Sequence, residues 1–281
     1  MELAKLTEIL KSKGLDTTYK VTPKEYEEFR VDCLNKDIGD RDKEDGYNCP
    51  LCKNKGYIAH VTEDNGHYSH SFSDCKCVEI RNSIMRMKRS GLKDIIKDYT
   101  FEKFEEIEPW QKTLKTAAVE YSQNPEGWLF LGGQSGCGKT HLCTAVCREF
   151  LLKGKSVQYM LWRDDVTKLK SAVTDSEEYG KLIDKYKNAE VLYIDDLFKT
   201  GKVDSGYQKP TAADINVAFE ILNYRYNNQY LITIISSELS EDELLDIDEA
   251  TGGRIYERAK KAFSIAHDRK KNYRIKGAVT L

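Results

Sequence analysis

The chain has 281 residues, 40% of them hydrophobic and 32% charged, which leaves room for one large domain and a small one around a substantial core. A formal net charge of −2 gives no argument for or against nucleic acid, so any basic surface has to be local. No apolar run approaches the roughly 20 residues of a membrane helix. The opening MELAKLTEILKSKG lacks the apolar core of a signal peptide, so a cytoplasmic protein with no membrane partner is expected.

Taken in order, residues 1–46 read as a helical segment. Leu3, Leu6, Ile9 and Leu10 make one apolar stripe, and Thr22-Pro23-Lys24-Glu25 spells an N-cap, a proline at the first helical position and a capping-box glutamate. The run IGDRDKEDGYN reads as a solvated linker. Residues 47–92 follow as a cysteine-containing module, with a hairpin signal at Glu63-Asp64-Asn65-Gly66 between GYIAHV and HYSHSF, and then a basic helix from Val78 to Leu92.

Within that module Cys49 and Cys52, a 22-residue gap, then Cys75 and Cys77 offer four thiolates in two close pairs. In a reducing compartment this spacing suits tetrahedral Zn²⁺ better than disulfides. His67 and His70 lie in the intervening hairpin, where either could replace one thiolate. Four protein donors leave no open position, so the zinc is expected to be structural, standing in for a core that a small module cannot build. Cys33, Cys137, Cys143 and Cys147 are isolated or lie along a helix and are expected not to bind metal.

Residues 93–281 alternate helices with short apolar strands: WLFLG, SVQYMLW, VLYIDD, LITIISSE and AFSIAH. The fold class expected is α/β, a parallel sheet flanked by helices. Gly133-Gln-Ser-Gly-Cys-Gly-Lys139-Thr140 fits G-x-x-x-x-G-K-[ST], placed between a strand and a helix spanning Thr140 to Leu152. Glycines let the backbone aim N–H groups at phosphate, Lys139 reaches the β- and γ-phosphates, and Thr140 holds Mg²⁺. Asp195 and Asp196 end an apolar strand at the sheet edge where ligands bind. Asp195 is expected to support Mg²⁺, and Asp196 to orient or deprotonate the attacking water. The strand ending Ser236-Ser237-Glu238 could aim a side chain at the same place. Arg254 and Arg258, four apart on a helix, are either transition-state cations or a solvated basic face.

This order of motifs, GxxGxGKTHL, hhhIDDL, FEILNYRYNN, TIISSEL, GRIYERAK and NYR, resembles the AAA+ replicative helicase loaders of the DnaC/DnaI type, phage-encoded ones in particular, over residues 47–275. The resemblance implies an ATPase with ATP and Mg²⁺ at Gly133, Ser135, Gly136, Cys137, Gly138, Lys139, Thr140 and His141, and with Asp195 and Asp196 as Walker-B carboxylates. Ser237 falls in the sensor I strand, where Glu238 stands in place of the family's common amide. A carboxylate there repels the γ-phosphate unless it is protonated or turned away. By resemblance Arg258 is an arginine finger acting on a neighbouring subunit's ATP, and Arg274 is a sensor II-like arginine, with Arg254 as a second candidate for either role. A finger acting in trans implies self-association in a partial ring or spiral. The partners implied are a DnaB-type helicase and single-stranded DNA, the latter near Lys168, Lys170 and Ser171. Transposase helpers of the IstB type share the AAA+ core but usually carry a helical extension rather than four-cysteine zinc.

Overall fold

Thr22 begins the first well-defined helix of the computed structural model, which describes residues 21–275 apart from 201, 204, 205 and 208, together with Glu8, Ile9 and Ser12. Of the N-terminal apolar stripe, Leu3, Leu6 and Leu10 lie outside the described residues. The chain divides into two units, Met1–Glu44 with Asn48–Val78, and Asp45–Tyr47 with Glu79–Leu281.

In the first unit, α1 (Pro23–Lys36) starts as its spelling predicts. The Glu25 N–H donates to Thr22 Oγ1 at 3.3 Å, and the Thr22 N–H donates to Glu25 Oε2 at 2.8 Å. Asn35, near its end, exchanges hydrogen bonds with both backbone groups of Ala59, which fixes α1 against the first strand. That strand, β1 (Tyr57–Asp64), pairs antiparallel with β2 (His67–Asp74). The turn between them holds Asn65 at φ 49° and Gly66 at φ 80°, the two left-handed residues of a type I′ hairpin. A short helical turn, α2 (Asp42–Asp45), precedes the cysteines.

The run 38–48 is mostly accessible to solvent, as expected of a linker, but Asp45 and Tyr47 within it are buried. Asp45 is 3% exposed, and both of its carboxylate oxygens accept from Arg81 Nη1, at 2.6 and 2.7 Å. A buried carboxylate needs such a partner, and the partner lies 36 residues away in α3 (Cys77–Arg89), beyond the reach of any local pattern.

The second unit continues through α4 (Ile95–Asp98) and α5 (Pro109–Gln123) to β3 (Trp128–Gly133), the first strand of the main sheet. There follow α6 (Lys139–Leu152), β4 (Val157–Leu161), α7 (Trp162–Ala172), α8 (Ser176–Lys187) and β5 (Val191–Asp195). A minor antiparallel pair, β6 (Lys202–Val203) with β7 (Gly206–Tyr207), precedes α9 (Ala212–Asn227) and β8 (Ile232–Ser236). The chain then runs through α10 (Glu241–Ile247), α11 (Glu249–Arg258) and β9 (Lys261–Ile265), ending in two 3₁₀ turns, Arg269–Lys271 and Tyr273–Ile275.

The five main strands are all parallel, in the order β4-β5-β8-β3-β9. Helices cover both faces, so β3, β5 and β8 are buried at every position and read as continuous apolar runs. Alternation still sorts the faces. Trp128, Phe130, Leu192, Ile194 and Ile235 join a core with residues of α7, α8, α9 and α11. The residues between them, Tyr193 and Asp195 among these, face the other way.

One buried cation ties this sheet together. Arg225 of α9 is fully buried, and its guanidinium donates to Thr233 Oγ1, Ile232 O, Tyr186 O, Lys187 O and Ala189 O at 2.6–3.1 Å. Three of these carbonyls close the C-terminus of α8, where a helix dipole favours positive charge. Burial pulls the group down to about 9, which still leaves it charged at neutral pH. Arg225→Met should cost roughly 3–5 kcal/mol, because carbonyls are left buried without donors. Urea unfolding followed by circular dichroism will show a lower midpoint; an unchanged midpoint would remove this role from Arg225.

Candidate functional site

The phosphate loop leaves the C-terminal end of β3. Gly133 sits at φ 88°, and a Cβ there would stand 2.0 Å from Ile265 O of the neighbouring strand, so only glycine fits. Gly138, at φ 97°, precedes α6 and lies under the ring of Phe104. Gly136 is also left-handed, and Ser135 and the buried Cys137 complete the loop. Burial raises the Cys137 thiol, so it behaves as a small apolar filler. The ammonium of Lys139 is buried and donates to the carbonyls of Gly133 and Gln134, both at 2.7 Å. Thr140 Oγ1 donates to Asp195 Oδ1 at 3.1 Å, bringing together the two residues expected to hold Mg²⁺. A hydroxyl whose proton goes to a carboxylate keeps its lone pairs for a hard cation, so the pair fits the ion.

Asp195 is 4% exposed and accepts from three further hydroxyls: Tyr193 (2.7 Å) and Ser236 (2.5 Å) on Oδ1, and Tyr159 (2.8 Å) on Oδ2. Asp196 adopts φ 59°, which turns its carboxylate out of the strand toward Lys199 at 2.7 Å. Burial pushes Asp196 up and Asp195 beside it adds to that, while Lys199 pulls the other way. A raised carboxylate that can take a proton suits a general base. Lys199 also pairs with Glu238 at 3.1 Å. Burial alone would raise Glu238, but Lys199 and the Ser135 hydroxyl outweigh it and hold the carboxyl below the usual range. The glutamate is thus neutralised by a neighbouring cation, which answers the repulsion expected from its charge. A cavity of about 590 Å³ opens beside the loop, lined among others by Gln134, Ser135, Lys199, Glu238 and His267.

Several expected residues stand elsewhere. Ser237 is fully buried and donates to Leu197 O at 2.8 Å; it is Ser236 that reaches the carboxylates, because the register pairing Ile194 with Ile235 sets it opposite Asp195. The imidazole of His141 meets Thr100 O at 2.9 Å and packs on Tyr99 and Phe104, so it anchors the Tyr99–Phe104 segment to α6 rather than pointing at the loop. Lys170, partly exposed, pairs with Asp214 at 2.7 Å. Lys168 and Ser171 are exposed on α7, Lys168 paired with Asp165 on its own helix. Arg254 bonds to Asn223 Oδ1 and Ala250 O and stacks on Phe219, so its fork is occupied.

Arg258 ends α11 beside Gly127, at the N-terminal edge of the sheet, whereas the phosphate loop leaves the opposite edge. Its buried Nε has no hydrogen-bond partner among the described residues. Arg274 is exposed and follows Tyr273, whose N–H donates to Gly136 O at 2.9 Å, so the 3₁₀ segment at the end of the described chain returns to the phosphate loop. Tyr159, Tyr193 and Lys199 were not singled out from sequence. The i, i+2 spacing of Tyr193 and Asp195 on one strand was the available signal for the second of these.

Far from this site in sequence, Cys49, Cys52, Cys75 and Cys77 bring four buried sulfurs within 4.8 Å of one another. Cys49 and Cys75 sulfurs are 3.8 Å apart, and those of Cys52 and Cys77 are 3.4 Å apart. Tetrahedral zinc with bonds near 2.3 Å needs sulfurs about 3.8 Å apart, so the donor set fits. Burial raises the Cys52 thiol, but the Gly56 N–H at 3.2 Å and the other thiols outweigh it and bring the group down to about 7. The hairpin histidines are not in the cluster: His70 pairs with Glu27 at 2.9 Å.

A parallel sheet in this order, with a phosphate loop and paired carboxylates at one edge, defines an AAA+ P-loop ATPase. The chain belongs to the IstB-like ATP binding proteins, whose family model matches residues 74–274, and its larger unit is an IstB/DnaC-like AAA+ domain. Among its relatives are protein YqaM of Bacillus subtilis (strain 168), 29% identical over 89% of this chain and 92% of the relative. The phage-like element PBSX protein XkdC of the same organism is 30% identical over 75% and 79%. The replicative helicase loader DnaC of Escherichia coli (strain K12) is 31% identical over 47% of this chain and 56% of its own length. The crystal structure of the DnaC helicase loader shares the fold, with a TM-score of 0.51 at 19% identity over 63% of this chain and all (100%) of that one. Among the described residues no helix is long and apolar enough to cross a membrane.

Proposed function

We propose that this protein is an ATP-regulated loader that binds a hexameric DnaB-type replicative helicase and helps place it on single-stranded DNA. The observation that supports the reading is the placement of the expected site residues at two edges of the sheet. Lys139, Thr140, Asp195 and Asp196 gather at one edge, and Arg258 stands at the other with a buried N–H unpartnered among the described residues. A subunit built this way completes its site through a neighbour, which fits a partial ring or spiral. The likeness to relatives named as helicase loaders supports a loader among AAA+ proteins.

In this reading Lys139 exchanges two neutral carbonyl acceptors for the β- and γ-phosphates, and the loop's N–H groups with the N-terminus of α6 hold the rest. Mg²⁺ at Thr140 and Asp195 supplies positive charge against the phosphates. Asp196 orients the attacking water and accepts its proton, while Arg274 lies within the same subunit's reach. Lys168, Lys170 and Ser171 are the candidates for contact with DNA. Zinc on Cys49, Cys52, Cys75 and Cys77 stabilises the 47–92 module, which with residues 1–46 grips the helicase, and 93–281 form the ATPase. A transposase helper is the second reading, favoured by the IstB-like family match. The four-cysteine cluster counts against it.

The deciding experiment mixes the purified chain with a purified DnaB-type hexamer, with and without ATP, and measures complex formation by size-exclusion chromatography. A stable complex is expected; none under either condition would sink the loader reading. Alone, Arg258→Ala and Asp195→Ala should each lower ATPase activity by about 100-fold or more. Mixed, they should recover part of it through interfaces with one intact site, and no recovery at any ratio would count against a finger acting in trans. Chelating zinc should strip hydrogen-exchange protection from residues 49–77 while nucleotide binding persists; loss of both together would show the two units to be interdependent.

A further inference from the structure

The geometry points to Tyr159 and Tyr193 as positioning residues that fix the carboxylate of Asp195 for Mg²⁺, an inference that rests on the ATP reading above. Four hydroxyls from four elements converge on Asp195: Thr140 of α6, Tyr159 of β4, Tyr193 of β5 and Ser236 of β8. A carboxylate offers about four lone-pair sites, two on each oxygen, and here four donors share them. The distribution is uneven. Oδ1 accepts Ser236, Tyr193 and Thr140, whereas Oδ2 accepts Tyr159 alone, at 2.8 Å. One phenol on each oxygen blocks rotation about the Cβ–Cγ bond and leaves the spare acceptor capacity on Oδ2.

Neither phenol is needed to fill space, since phenylalanine has nearly the same shape and brings no buried hydroxyl to satisfy. Tyr159 is 4% exposed and Tyr193 fully buried, and the strand register sets them side by side with rings meeting edge to face at 5.3 Å. Thr140 has the longest of the four bonds, at 3.1 Å, and its hydroxyl is the one that would also hold the ion. The tyrosines therefore hold the carboxylate in place while the Thr140 hydroxyl adjusts to the ion. Without them Asp195 could still bind Mg²⁺, but it would first have to be ordered.

The test uses the full chain and the variants Tyr159→Phe and Tyr193→Phe, each followed by thermal melting. A fluorescent ATP analogue is bound in EDTA and the complex is then titrated with Mg²⁺. Metal-free affinity should stay within about twofold, while the Mg²⁺ concentration for half-maximal tightening should rise about tenfold in each variant, as expected for a hydrogen bond to a charged group. In an Asp195→Asn background neither phenylalanine should shift that midpoint further. Either of two results in folded protein would overturn the inference: an unmoved midpoint, or an equal shift with and without Asp195. Loss of affinity equally in EDTA and in Mg²⁺ would assign the phenols a purely structural role. If the unaltered chain binds no nucleotide with or without Mg²⁺, the ATP reading itself falls, and that outcome is distinct from the others.

Discussion

The buried guanidinium of Arg225 is the constraint on which the nucleotide edge of the sheet depends. Among the described residues it bonds to no carboxylate; carbonyls from the end of α8 and the lead-in to β5, with Ile232 and Thr233 of β8, surround it. A charge in that position is tolerable only if every donor is met. Meeting them fixes where β5 and β8 begin relative to each other. Since strands are rods, the starting register decides what meets at the far end. There Asp195 faces Ser236, and Asp196 turns out toward Lys199.

The second organising feature is how acidic groups coexist at that far end. Asp195, Asp196 and Glu238 lie close together, and each is satisfied differently. Hydroxyls surround Asp195, while Lys199 bridges Asp196 and Glu238. Asp196 is raised, by burial and by its neighbour, and it sits in a left-handed turn that releases it from the strand. One carboxylate is thereby fixed and the next left able to exchange a proton, although the two are adjacent in sequence.

Much of this was legible beforehand, for reasons that differ by element. Parallel strands buried on both faces announce themselves as WLFLG and VLYID, and Asn65-Gly66 could hardly be anything but a tight hairpin. The cysteine pairs and the Gly133–Thr140 loop are read from spacing because their ligands dictate it. What escaped were pairings between distant segments. Asp45 was assigned to solvent because its partner Arg81 lies in a different helix. The choice between Ser236 and Ser237 depends on strand register, which a single sequence does not carry. The pairing of Lys170 with Asp214 depends in the same way on α9 coming beside α7.

Gly127 stands where Arg258 meets the start of β3. A Cβ there would lie 2.4 Å from the Arg258 carbonyl, so no side chain separates the arginine's helix from the strand. Six residues later the same strand becomes the phosphate loop. A buried strand does not stretch, so whatever displaces one end displaces the other. The phosphate loop at one end of β3 and the end of α11 packed at the other are joined by one rigid strand, so their positions are set together.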